Sequence, residues 1–129
     1  MDEVSYRRLR HVLTEQARVR QAAIALEAGD VTAFGTLMVE SHASLREDYE
    51  VTGEALDTIV AASLEQEGTI GARMTGAGFG GCAIALVERE HAGAHNERVA
   101  SVMESRRGSR PRLFEVVPHS GVGMLTPQR

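Results

Sequence analysis

The sequence predicts an α+β domain, with an antiparallel sheet packed under helices. Three observations predict it: a long opening segment free of glycine and proline, two short apolar runs flanking a glycine cluster, and a further helical segment before a last short run. From Glu3 to Ala28, Leu9, Val12, Leu13, Val19, Ala23 and Leu26 recur at three- and four-residue steps, the pattern of one long helix with an apolar face toward a core. Gly29 ends it. Asp30 then offers a capping oxygen to a second helix, from Val31 to about Ser41, on which Phe34, Leu37, Met38 and Ser41 share a face. The polar stretch from Ser41 to Thr52, with isolated Leu45, Tyr49 and Val51, reads as a helical turn leading into a loop. Thr52 is the next expected cap, before a third helix with a core stripe of Leu56, Ile59, Val60 and Leu64. Gly68 is expected to close that helix in the left-handed conformation. The runs Ile70 to Thr75 and Cys82 to Glu88 suit buried strands. A helix from His91 to Arg107 follows, with Val99, Val102 and Met103 inward. Leu113 to Val117 is the final expected strand, stopped by Pro118.

At 129 residues the chain is expected to be one domain, 1–129, large enough for its own core. Hydrophobic residues at 43% and charged residues at 25% belong to a globular chain and not to a disordered one. A net charge of -4 argues against a nucleic-acid footprint, and the one basic stretch, Arg106, Arg107, Arg110 and Arg112, reads as a solvated loop. No run has the length of a membrane span, so no membrane partner is expected and the cytoplasm is the simplest address. The single cysteine, Cys82, has no disulfide partner. No Cys and His group has metal spacing, and His91 and His95, at i and i+4 without an acidic companion, are expected to face solvent.

Between the two expected strands lies Gly76-Ala77-Gly78-Phe79-Gly80-Gly81. Each of these four glycines in six residues surrenders more backbone freedom on folding than any other residue type, and two requirements account for them: positive φ angles in a turn, or close approach of a ligand or another backbone. A strained hairpin satisfies the first requirement alone. No Gly-Lys-Ser/Thr follows, so the segment is not a P-loop. A strand and not a helix comes next, so it is not a dinucleotide turn either. A nest of backbone N–H groups holding an anion remains open.

Taken whole, Gly71-Ala72-Arg73-Met74-Thr75-Gly76-Ala77-Gly78-Phe79-Gly80-Gly81-Cys82, with the strand Ala83 to Val87, resembles the third motif of the GHMP kinases in its galactokinase form. Ser41 to Val51, continued by Leu56-Asp57-Thr58, is similar to the block upstream of that motif, as is the first helix with Arg7, Arg8, Arg10, His11 and Val12. The tail from Leu113 to Gly123 fits the family's last strand loosely. The resemblance implies a ferredoxin-like C-terminal domain. It also implies ATP-dependent phosphorylation of the galactose C1 hydroxyl, with Mg²⁺ bridging the phosphates. Within that reading Gly76, Ala77, Gly78, Phe79, Gly80 and Gly81 lie against the nucleotide, and Met74 and Thr75 shape the cleft wall. Packing roles are equally open to Met74 and Phe79. Arg46, Glu47 and Asp48 are expected to form a solvated or interdomain face.

The family's sugar signature, its serine-rich phosphate loop and its catalytic Asp are absent from residues 1–129, so no catalytic residue is expected here and no activity from the chain alone. Missing too is the strand that the family sets centrally, between the last strand and the Cys82 strand. Its absence leaves either a direct pairing of those two strands or an open edge that another chain covers, by strand addition or as a homo-oligomer. The implied partner is the missing N-terminal half, with galactose and ATP as small molecules. The alternative is a stand-alone small-ligand or phosphate-binding module without catalysis; a purely structural remnant ranks behind both.

Overall fold

Helix α1 spans Glu3–Glu27 in the computed structural model, which describes residues 1–123. Its cap is Asp2, whose carboxylate accepts the Ser5 N–H at 2.9 Å. Helix α2, Val31–Ser44, is capped as expected, with Asp30 Oδ1 accepting the Ala33 N–H at 2.9 Å. It runs directly into a π-helical turn, Leu45–Tyr49, that ends on Glu50 in the left-handed conformation at φ 60°. Then come α3 (Glu54–Leu64), β1 (Thr69–Thr75), β2 (Cys82–Val87), a 3-10 turn (Arg89–His91) and α4 (Ala92–Arg107). Gly108, at φ 76°, closes α4.

Helical structure thus continues to Tyr49, where the sequence suggested a loop after Ser41. Ser41 and Ser44 find partners on α1 (Ser41 Oγ donates to Glu15 at 2.7 Å, Ser44 Oγ meets His11 Nδ1 at 2.9 Å), so neither competes for its own backbone. Thr52 is not the cap of α3: it is buried, and Gly53 at φ 80° precedes the helix instead. Gly68 is not the helix end either; α3 stops at Leu64, and Gly68 turns the chain toward β1 against the ring of His91.

The strands pair antiparallel, Thr75 with Cys82 and Arg73 with Ile84, with an irregularity between Thr69 and Gly71. Helix α2 lies on β1 backbone to backbone. A Cβ on Gly35 would stand 2.1 Å from the Ile70 carbonyl oxygen, so only glycine permits this contact. The core joins Leu45, Leu56 and Met74, with Val51, Ile59 and Ala83 packed around them. Between α3 and α4, Val60, Ala62, Val99 and Met103 are buried, so the expected inward residues of both helices hold apart from Leu64, which is exposed.

Four further expectations are corrected. The apolar stripe of α1 faces outward, with Leu9, Val12, Leu13, Val19 and Leu26 all exposed, because the face against α2 is occupied by His11, Glu15 and Arg18 in polar contacts. β2 is not buried: Cys82, Ile84 and Ala85 are exposed, because α2 and α3 lie chiefly against β1 and leave much of β2 uncovered. Leu113 to Val117 forms no strand among the described residues. Phe114, Val116 and Val117 stand in solvent, lacking the neighbouring ladder that stabilises an extended segment. His95 does not face solvent but is buried one turn before Val99, its Nδ1 3.2 Å from Asn96 Oδ1. His91 is half-buried.

His42 ties three elements together. From α2 its Nδ1 accepts the Met74 N–H of β1 at 3.0 Å, and its Nε2 lies 2.9 Å from Asp57 Oδ1 on α3. An acceptor at Nδ1 requires the proton on Nε2, so the neutral ring is the form that fits. Burial holds the His42 pKa below the ordinary histidine value against the opposing pull of Asp57, and burial lowers His11 likewise. A histidine depressed in the folded state takes its proton preferentially when unfolded. Its contribution is therefore complete above the unfolded pKa of about 6.5 and declines as pH falls from there toward the folded value, by about 1.4 kcal/mol for each unit separating them. Urea unfolding should accordingly show a lower midpoint at pH 5.5 than at pH 7.5, and His42→Asn, which keeps an acceptor for Met74, should show a smaller difference. An unchanged difference in the variant would exclude His42 as its source.

Candidate functional site

The glycine turn joins β1 to β2 and combines both requirements that the sequence left open. Gly76, Gly78 and Gly80 have φ values of 77°, 88° and 82°, and Phe79, between two of them, has φ 54°. A Cβ on Gly76 or Gly80 would meet nothing within 4 Å, so these two serve conformation alone. Gly78 is different: its Cβ would lie 2.1 Å from the Val51 carbonyl oxygen, the same oxygen that accepts the Phe79 N–H at 2.7 Å. Close approach is therefore real, and the approaching group is the chain's own loop. Within the turn, Gly81 N–H donates to the Gly78 carbonyl at 3.2 Å.

Val51 is held by a charged clamp. From the first turns of α1, Arg7 and Arg8 pair with Glu50 at 3.1 and 2.7 Å, and their guanidinium groups also donate to the carbonyls of Glu47 and Asp48. Arg10 pairs with Asp48, which accepts a further bond from Ser44 Oγ at 3.2 Å. The Arg10 hydrogen bond holds the Asp48 carboxyl below its ordinary range, and Arg8 with Arg7 does the same for Glu50. Asp48 is buried against α1 and α2 of its own chain, where a solvated or interdomain face was expected of it. Arg46 and Glu47 are exposed and pair with each other at 2.8 Å. Packed on this segment, the Tyr49 ring lies 4.8 Å from that of His11.

The site residues named from sequence divide by position. Gly76, Ala77, Phe79, Gly80 and Gly81 are exposed, Gly78 and Thr75 are half-buried, and the Met74 side chain is in the core with Leu45 and Leu56. Arg73, the nearest cation along the chain, is engaged, its Nε donating to the Met74 carbonyl at 2.8 Å and its Nη1 lying 3.5 Å from Glu15. From Thr69 to Cys82 there is no carboxylate. The turn can thus offer bare backbone and N–H groups to a ligand, but neither a proton acceptor nor a divalent-cation ligand. The one close acidic group among the described residues, Glu88, Glu90 and His91, sits at the opposite end of β2. Two shallow hollows, lined by Ile24, Ala25 and Leu37 and by Asp57, Ala61 and Arg107, include none of residues 74–82. Sequence reasoning missed Val51, the clamp arginines as a group, and the His42–Asp57 pair; the arginines at 7, 8 and 10 and the acids at 47, 48 and 50 were a readable complementarity.

Substitutions in the turn separate its two causes. Gly80→Ala should cost about 1–2 kcal/mol, the left-handed penalty alone. Gly78→Ala should cost more, because the Val51 carbonyl must also move; equal losses in urea unfolding would contradict that division.

Comparison with known proteins bears on the same segments. The family described as GHMP kinases C terminal matches residues 22–104, which include α2, α3, both strands and the glycine turn. A galactokinase of Halalkalibacterium halodurans is 48% identical over 121 residues, 94% of this chain and 31% of that protein. One from Streptococcus thermophilus is 50% identical over 113 residues, 88% of this chain and 29% of that protein. Among solved structures, Lactococcus lactis galactokinase complexed with galactose superimposes with a TM-score of 0.82 at 49% identity, covering 84% of this chain and 28% of that one. L. major mevalonate kinase in complex with R-mevalonate gives 0.57 at 29% identity, over 70% and 26%. The chain spans about three-tenths of the length of the galactokinases it matches. With α2, α3, the hairpin and the glycine turn inside the matched region, the chain belongs to the GHMP kinases, as their C-terminal domain.

Proposed function

We propose that this chain is the C-terminal portion of a galactokinase and that its glycine turn forms one wall of the cleft where ATP phosphorylates the C1 hydroxyl of galactose. The observation that carries the reading is the turn itself. Its backbone is bare and outward at Gly76, Ala77 and Gly80, yet it is anchored from behind by the Val51 carbonyl on Phe79 N–H. Such a surface is rigid enough to position a phosphate and small enough to let it close in, which is the kind of preorganisation phosphoryl transfer depends on. Thr75 and the side chain of Phe79 border it; Met74 acts from the core by fixing the strand that leads into it.

In the reaction the bond from the γ-phosphorus to the bridging oxygen of ATP breaks, a bond to the sugar oxygen forms, and the hydroxyl proton leaves to a base. Residues 69–82 contain no carboxylate for that proton, nor one for Mg²⁺. In this reading, which follows the resemblance, the base and the metal ligands belong to the upstream part that the relatives have beyond this chain's span. ATP would contact this chain through backbone N–H groups of the turn. The open edge of β2 is the natural seat of the strand that the resemblance sets there. No described helix is long and apolar enough to cross a membrane, and a cytoplasmic sugar kinase is the setting we infer.

The chain alone should be inactive. Mixed with the separately produced upstream portion of the H. halodurans galactokinase, it should restore galactose- and ATP-dependent release of ADP. No release at saturating substrates, with both parts folded, would remove the reading. Calorimetric binding of ATP to the isolated chain, without restored activity, would instead favour a stand-alone phosphate-binding module.

A further inference from the structure

Helix α1 is packed with its polar side in and its apolar side out. Toward α2 and β1 it presents His11, Glu15 and Arg18, each bonded to Ser44, Ser41 or a neighbouring charge. Outward lie Leu9, Val12, Gln16, Val19, Ala23 and Leu26, all exposed, Val12 at 54% and Val19 at 56%. These six positions are spaced alternately by three and four residues, the a and d positions of a heptad, over about 25 Å of helix. That spacing is matched by one kind of cover, another α-helix crossing at a shallow angle. Gln16, midway, is the single polar position, of the sort that fixes a register.

We propose that this stripe seats an α-helix from the upstream part of the polypeptide, the part that the galactokinases possess and residues 1–129 do not; the proposal rests on the reading of the chain as their C-terminal portion. The relatives are about three times as long as the matched region, and the matched family is by description C-terminal, so the additional length lies upstream. α1 is the element nearest in sequence to that upstream length, which brings the stripe within its reach. A second copy fits less well. The antiparallel twofold that superimposes the spacing on itself sets Gln16 against Val19 and Val12 against Ala23, burying an amide against a valine. The parallel one stacks Ala23 on Ala23 and leaves a gap.

The test uses the full chain and the upstream portion of the H. halodurans galactokinase, titrated by calorimetry and assayed for restored activity. Val12→Glu with Val19→Glu should leave the isolated chain's circular dichroism and thermal midpoint unchanged, because both side chains are exposed, and should weaken association at least a hundredfold. Val31→Glu, exposed but off the stripe, should bind as the native chain does. Should the glutamates disturb the helix, Val12→Ala with Val19→Ala replaces them, with about a tenfold loss expected. Native and stripe variants associating equally well, with activity restored by both, would overturn the inference and leave the functional reading intact. Failure of the native chain itself to associate would remove both. A native dimer in sedimentation that the stripe variant dissolves would assign the face to a second copy, against the proposal.

Discussion

The Val51 carbonyl oxygen is where the helical part of the molecule meets the glycine turn, and the exposed geometry follows from that contact. It accepts the Phe79 N–H at 2.7 Å and occupies the space in which a side chain on Gly78 would stand. A turn with four left-handed residues among five, Gly76 and then Gly78 to Gly80, would sample many shapes if left free. Here one hydrogen bond from a fixed loop selects one of them. The loop is fixed in turn because the π-helical turn ends on Glu50 in the left-handed region, where Arg7 and Arg8 hold its carboxylate, while Arg10 and Ser44 hold Asp48. Exposed ion pairs contribute little singly. This set includes a buried acid and guanidinium bonds to backbone carbonyls, and such charge-assisted bonds carry both more energy and more direction.

Polar groups also organise the layer behind the sheet. His42 bonds to a β1 amide and to Asp57 of α3. Glu15 gathers Ser41, Arg18 and Arg73, which brings together α1, α2 and β1. Burial alone would raise the Glu15 carboxyl, but the bonds from Ser41 and Arg18 and the charges of Arg18 and Arg73 bring it below its ordinary value, so it remains an anion at neutral pH. Such a network costs more than an apolar core when any partner is lost, and it specifies a single arrangement when all are present. A domain that must present one surface in one shape is suited by that exchange.

How far the sequence was legible depended on whether the deciding interaction was local. Caps and turns were: Asp30 caps α2, Gly29 is left-handed where α1 ends, and both strands lie within one residue of the bounds read from the sequence. Periodicity identified the α3 and α4 faces because those helices pack against each other within this chain. It misdirected α1, where the same spacing marks a face that nothing among the described residues covers. The pattern reports which side is apolar, not what lies against it. For the same reason Leu113 to Val117 has a strand's composition without a strand's pairing. In the turn, the need for glycine was legible, and its split between conformation at Gly80 and contact at Gly78 was not, since Val51 is far away in sequence.

Amide hydrogen exchange along the turn tests the central contact most directly. With the Val51 carbonyl in place, the Phe79 N–H should exchange far more slowly than the Gly80 N–H beside it, although the Phe79 side chain is 77% exposed. Equal, rapid exchange at Phe79 and Gly80 would mean that the turn is not anchored, and the account of a preformed backbone wall would fail with it.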